Sequence, residues 1–527
     1  MTSSRRRSGL LIPLFCAPSS GSWGIGDIGD IAPLSAWLAG AGQRILQLLP
    51  LNEMAPGHHS PYSALSAMAI DPIYIRVPDV ADFIAIGGES SLIAEDRERL
   101  AQARAASRVE FDTLRPVKHR ALSAAFERFV ELEWTPHTRR AAAFHAWVAA
   151  QSWWLEDYVL FRAIHEREHG RTWTEWPDGL KQRTREALDS VRADLAHPML
   201  FYQYLQWLAG TQWTAARDAA GANAVALYGD LPFMVDVHSA DVWTLQEQFR
   251  MDRSVGVPAD AFSATGQDWG MPSYDWDRVA QTGFEWLHGR ARRSAALYDG
   301  YRVDHLVGFY RTYSRPRSGE GEPAFSPANT VDQLRLGERV LEIFRGPGSD
   351  VIAEDLGTVP DFVRASLARL GVPGFRVLRW ERDWDEDGNP FRDPASYPVI
   401  SVATTGTHDT EPLVVWWNGA EEADRSAVAA VPTVQQAAGG VDLRNAPFIP
   451  TVRDALIEAM FASASNILIF PVQDVFGWAD RINEPATVSD DNWTYRLPWP
   501  TDRLDEQPEA RERQAALRGL AEKHGRA

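Results

Sequence analysis

The sequence predicts an α/β fold: a (β/α)8 TIM barrel with helical and loop insertions forming subdomains around its C-terminal face. Three observations carry this. Eight short, near-continuous apolar runs recur along the chain, as strands of a parallel sheet buried on both faces require. Helical patterns separate several of them, which is the alternation of βα units. Several runs end in acidic residues, and the C-terminal strand ends are where a barrel assembles its site.

The runs are RILQLLPLN (44–52), DPIYIRV (71–77), AVALYGDLPFMV (224–235), GYRVDHLVGFY (300–310), DVIAEDLG (350–357), GFRVLRWE (374–381), SVATTGTHD (401–409) and NILIFPVQDVFG (466–477). DQLRLGERVLEIF (332–344) and VPDFVRASLARL (359–370) have helical spacing between them. From about 90 to 220 apolar residues step by three and four, which predicts a helical insertion between the second and third strands, with Trp153 and Trp154 in its core. VGVPADAFSATGQDWGMPSYDW (255–276) is rich in Gly, Pro and aromatics and has no period. It reads as a functional loop, the centre of an active-site insertion over 244–290. The expected organisation is one catalytic barrel over 8–500 with a charged, solvated helix at 505–527.

Basic residues number 53 and acidic residues 71, a net charge of −18, which disfavours nucleic-acid binding. Cys16 is the sole cysteine, which excludes an internal disulfide and a multi-cysteine metal site. No apolar run reaches the roughly 18–20 residues of a membrane span. LLIPLF (10–15) is shorter than the ~7–15 residues of a signal-peptide core. A cytoplasmic enzyme with no membrane partner is expected. The 21 tryptophans are unusual. Core packing explains most of them, and sugar stacking is the sharper alternative for a few.

Asp304 follows YRV, Glu354 and Asp355 end VIAED, and Asp409 ends TTGTHD. Carboxylates on three strand ends can converge on one pocket. Arg302 and Asp304 share a strand face, where the guanidinium favours the ionised acid. Retaining glycosidic chemistry needs one carboxylate as nucleophile and a second as acid and base, about 5–5.5 Å apart. Metal-dependent barrels also place acids at strand ends, and His305 and His408 adjoin two of these. Neither His-Asp pair has ligand spacing of its own.

The ordered set SSGSWGIGDIGD (19–30), LLPLNEMAPGHHSPYSALSAMAIDP (48–72), GDLPFMVDVHSADVW (229–243), GVPADAFSATGQDWG (256–270), YRVDHLVGFYR (301–311), VIAEDLGTVP (351–360), TGTHDTE (405–411) and NWTYRLP (492–498) resembles the 4-α-glucanotransferases of glycoside hydrolase family seventy-seven. The resemblance implies Asp304 as nucleophile, Glu354 as general acid and base, and Asp409 as transition-state stabiliser with His408 and Arg302 beside it. It places Tyr62 at the donor glucose and Asp230 in support. Phe262, Ser263, Gln267 and Trp269 would line the acceptor groove. It implies no cofactor and no metal. The partners would be α-1,4-glucans, with glucose as an acceptor, in a retaining double displacement. A hydrolase using water, or a glucan-binding protein that leaves the acids idle, are the alternatives. His238, Pro412 and Glu484, the HHSPY approach and the charged RWERDWDEDGNPF segment (379–391) depart from the family pattern without touching the three acids. Oligomeric state is not encoded in any of these features.

Overall fold

The computed structural model describes residues 6–259, 266–485, 487 and 489–527. Strands in chain order are β1 (Arg7–Leu11), β2 (Ile45–Gln47), β3 (Ala226–Leu231), β4 (Phe249–Val257), β5 (Gln267–Tyr274), β6 (Gly300–Val303), β7 (Thr312–Pro316), β8 (Ala324–Ser326), β9 (Asp350–Ala353), β10 (Gly374–Val377), β11 (Ser401–Thr404) and β12 (Ile467–Pro471). Eight of them form a closed parallel barrel in the order β1-β2-β3-β6-β9-β10-β11-β12, with β12 pairing back to β1. The strands are almost wholly buried, and the apolar runs supply both the barrel interior and the face under the helices.

The (β/α)8 architecture is as expected, but one strand is not where the apolar pattern put it. DPIYIRV is no strand. Pro72 lacks an N–H, the Asp71 carboxylate accepts the Ile73 N–H at 2.9 Å, and Pro72–Tyr74 closes as a 3-10 turn. The carbonyls of Ile73 and Ile75 are taken by the buried Lys118 ammonium at 2.6 and 3.0 Å rather than by a neighbouring strand. The first barrel strand is instead β1, five residues that follow a basic cluster. Gly9 permits its approach to β2: a Cβ there would sit 2.2 Å from the Ile45 carbonyl oxygen.

Helices from Ala81 to Ala222 fill the long connection between β2 and β3. Asp82, fully buried, accepts from Arg128 at 2.7 Å, from Arg140 and from the Tyr204 hydroxyl at 2.8 Å, which locks the insertion's helices together. Trp154 is core as expected. Trp153 is not: it is 38% exposed and lies under the Arg292 guanidinium. The buried side of this helix runs through Trp154 and Leu155, about 100° and 200° round from Trp153, which leaves Trp153 at its edge.

The non-periodic stretch is not loop throughout. Its flanks are β4 and β5, antiparallel partners in a small sheet ordered β5-β4-β7-β8. Much of this sheet is solvent-exposed, so its strands carry no continuous apolar signature. The terminal helix Pro508–Lys523 is likewise docked rather than solvated. Ala510, Leu517 and Ala521 are buried, and Arg526 donates to the carbonyls of Phe461 and Ser463, each at 2.8 Å. No helix among the described residues is long and apolar enough to cross a membrane.

Candidate active site

The site grows from the register of β3 on β6. Asp230 pairs directly with Arg302, so their side chains leave the same face of adjacent strands. Arg302 Nη1 donates to Asp230 Oδ1 at 2.9 Å and Oδ2 at 2.7 Å. Its other terminal nitrogen, Nη2, lies 2.8 Å from Asp304 Oδ1 and 3.9 Å from Glu354 Oε2. The guanidinium is nearly buried, and one side chain therefore fixes three carboxylates. Since Nη2 touches both, the two latter oxygens cannot be more than about 7 Å apart. That upper bound accommodates the ~5–5.5 Å carboxyl separation of a retaining pair. Asp230 is buried, which pushes its carboxyl up to about 6 against the pull of Arg302.

Asp304 and Glu354 follow the C-terminal ends of β6 and β9. The Asp304 amide donates to Leu231 O at 3.0 Å, and the Glu354 amide to Val303 O at 3.0 Å, so the sheet ladder itself sets where both side chains start. His305 turns with a positive φ of 42°, which aims its N–H at Glu354 Oε2, 2.8 Å away. Leu356 N–H donates to Oε1 at 2.9 Å. Burial, with the Asp304 charge beside it, nevertheless pushes the Glu354 carboxyl up to about 7. The His305 ring packs edge-on to Phe233 and Trp269, and burial lowers it to about 4, so it is neutral near pH 7.

Asp409 has the opposite environment. Burial opposes its charge, but His408 Nε2 at 3.2 Å and the Asn483 side-chain amide at 2.6 Å outweigh burial and lower the carboxyl to about 2. Arg481 donates to the Asp409 carbonyl at 2.7 Å and to Asn483 O at 2.6 Å, which ties the two loops. Tyr62 stacks on the His408 ring, with centroids 5.3 Å apart and planes 16° apart, and Trp493 closes the cluster at 5.8 Å from each. The Tyr62 hydroxyl donates to Asp230 Oδ2 at 2.7 Å. The helical insertion holds the Tyr62 loop: Tyr158 donates to Glu53 at 2.6 Å, and Arg162 pairs with it at 3.2 Å. Side chains of Asp304, Glu354 and Asp409 keep 24%, 12% and 40% exposure, so all three are open to a ligand.

The structure thus brings together Tyr62, Asp230, Arg302, Asp304, Glu354, His408 and Asp409. Gln267 Oε1 accepts the Trp269 indole N–H at 3.0 Å, and the indole edge meets His305, the residue after Asp304, at 4.9 Å. Phe262 and Ser263 lie outside the described residues. Asn483, Arg481 and Trp493 were not singled out as site residues by sequence reasoning. Trp493 sits in the NWTYRLP motif, the one sequence signal that points near it, and takes a positive φ of 65°. Pro412 caps the helix Leu413–Gly419 from outside the cluster. His238 and Glu484 have no hydrogen bond to the three acids. Among the described residues no three His, Cys, Asp or Glu side chains converge as a metal site.

The family model described as 4-alpha-glucanotransferase matches residues 12–502. A 4-alpha-glucanotransferase of Thermus thermophilus is 33% identical over 507 residues, 93% of this chain and 95% of the relative. One from Synechocystis sp. is 33% identical over 512 residues, 93% and 94% of the two chains. The solved amylomaltase of Streptococcus agalactiae in complex with acarbose superposes with a TM-score of 0.82 at 25% identity, covering 99% of this chain and all of that one.

Proposed function

This chain belongs to the 4-alpha-glucanotransferase family, and from that premise we propose that Asp304 is its nucleophile, Glu354 its general acid and base, and Asp409 its transition-state stabiliser. The activity is glycosyl transfer on α-1,4-glucans, which sets aside the hydrolase and the silent binder. The observation that carries the assignment is the single Arg302 guanidinium shared by Asp230, Asp304 and Glu354.

In the first step an Asp304 oxygen bonds to the anomeric carbon as the bond from that carbon to the leaving O4 breaks. Glu354 gives its proton to O4. A carboxyl pushed up to about 7 retains that proton near neutral pH. In the second step the 4-hydroxyl of an acceptor glucose or glucan attacks the same carbon. Its proton passes to the Glu354 carboxylate, and Asp304 leaves as the free anion. Retention follows from the two inversions. Asp409, lowered to about 2, stays anionic throughout and faces the positive charge that develops on the sugar ring. Tyr62, braced by Asp230 and His408, offers a flat wall to the donor glucose. Gln267 and Trp269 line the acceptor side and help to exclude water from the covalent intermediate.

Product analysis from maltotriose tests this reading. The protein is expected to give glucose plus a ladder of longer maltooligosaccharides. Asp304→Asn is expected to lose this turnover by at least about a thousandfold. Glucose and maltose with no longer product, or an unimpaired Asp304→Asn, would overturn it.

A further inference from the structure

The loop that carries His408 and Asp409 leaves the barrel at Thr405, just after β11, and ends at Glu411, before the helix Leu413–Gly419. Two buried side chains from other elements each bridge its two ends. Arg379, which follows β10, is 5% exposed. Its Nε donates to the Thr405 carbonyl at 3.2 Å, and its Nη1 donates to the Glu411 carbonyl at 2.9 Å and to the Glu411 carboxylate at 3.1 Å. Asp474, on the short helix Val472–Phe476 after β12, is 1% exposed. Its Oδ2 accepts the Thr405 hydroxyl at 2.5 Å, and its Oδ1 accepts the Leu413 N–H at 2.6 Å. The loop presses down on this pair: a Cβ at Gly406 would lie 2.4 Å from Thr410 Oγ1 and 3.4 Å from Arg379 Nη2. The Arg379 guanidinium also sits over the Trp416 ring, at 5.2 Å.

A charge kept out of water this fully costs free energy that only fixed partners offset. An apolar side chain of the same volume would serve packing as well. What the guanidinium adds is geometry. Its planar fork holds donors at a fixed separation, so it ties the carbonyls at the two ends of the loop, whereas a lysine is a point donor on a flexible stem. With both ends fixed, bonds inside the loop set its middle. The Thr407 N–H donates to Thr410 Oγ1 at 3.0 Å, and the Asp409 N–H to Thr407 Oγ1 at 3.2 Å. The Asp409 carboxylate then meets His408 and Asn483 and, at longer range, the Arg302 charge and the Tyr62 hydroxyl. Arg379 opens the charged RWERDWDEDGNPF segment (379–391), where the sequence departs from the family pattern.

We propose that Arg379 is a positioning residue for the transfer reaction: with Asp474 it brackets the loop of residues 405–411 and so sets where the Asp409 carboxylate stands. This rests on the transferase reading above, in which Asp409 stabilises the transition state. Arg379→Lys is expected to lower kcat on maltotriose about tenfold with KM changed less than about twofold. As Asp409 draws away from His408 and Asn483 its carboxyl rises, so the acidic limb of the pH profile is expected to move upward. Thr405→Val opens the strand end of the Asp474 bridge without touching Arg379. It is expected to move kcat and the acidic limb the same way, and it stands in for the lysine variant should that not fold. Because Arg379 and Asn483 act through one carboxylate, Arg379→Lys combined with Asn483→Ala is expected to lose less than the product of the two single losses. Variants with a lower Tm but an unchanged kcat and acidic limb, or losses that simply multiply, would overturn the proposal. Asp409→Asn separates it from the reading beneath it, with an expected loss of turnover of at least about a hundredfold. Turnover retained by Asp409→Asn would fail the catalytic reading and the bracket with it, whereas turnover lost there and kept at full rate by Arg379→Lys and Thr405→Val would fail the bracket alone.

Discussion

Two carboxylates in one site sit at opposite ends of the titration range. Glu354 is pushed up to about 7 by burial and by the Asp304 charge, and Asp409 is lowered to about 2 by His408 and Asn483 despite burial. Environments that separate acids in this way assign the proton donor and the fixed anion. Since Glu354 must be protonated for the first step, kcat/KM is expected to fall as pH rises through about 7. A flat profile between pH 6 and 9 would contradict this. Asn483 acts through Asp409 and is a positioning residue. Asn483→Ala removes a donor to the charged form, so the Asp409 carboxyl rises and the acidic limb of the pH profile moves upward. We expect kcat about tenfold lower with KM changed less than twofold. The three acids were legible because each ends an apolar run. Asn483, Arg481 and Trp493 were not, because they come from a loop after the last strand that has no period, and only the fold returns it to Asp409.

At the scale of elements, two departures from the apolar pattern offset each other. DPIYIRV looked like a strand on apolar content alone, and the Asp-Pro turn with the Lys118 caps made it otherwise. β1 has little apolar signature because it opens on Arg7, the last residue of a basic cluster, and only two of its five residues are large and apolar. The strand count stayed at eight and the helical insertion still fell between the second and third strands. The small antiparallel sheet was illegible for a different reason: a half-exposed sheet shows too few buried positions to set a period. Close packing behind the acids has its own test. Gly337, on the helix Thr330–Arg345, lies against the buried Tyr310 ring, and an added Cβ would come 2.1 Å from it. Gly337→Ala is expected to destabilise by about 1–3 kcal/mol through overpacking, read as a lower Tm. An unchanged Tm would show that Tyr310 moves freely.

The whole molecule is a barrel whose insertions carry the site's outer wall. The long helices Arg139–Arg167 and Ala196–Ala222 are not an appendage, because Tyr158 and Arg162 hold the loop that presents Tyr62. A net charge of −18 would steer a charged ligand strongly, whereas a glucan feels none of it. kcat/KM on maltotriose is therefore expected to change less than about twofold between roughly 50 and 500 mM NaCl. A steep salt dependence would point to a charged substrate. Most of the 21 tryptophans are packing residues, as composition alone suggested, and Trp269 and Trp493 are the ones the fold sets beside the acids. Trapping reaches the catalytic pair most directly. Glu354→Gln protein is incubated with an activated α-glucosyl donor, digested, and the labelled peptide is sequenced by mass spectrometry. Glucose bound to Asp304 is the expected result, and a label on any other residue would contradict the assignment of nucleophile and acid.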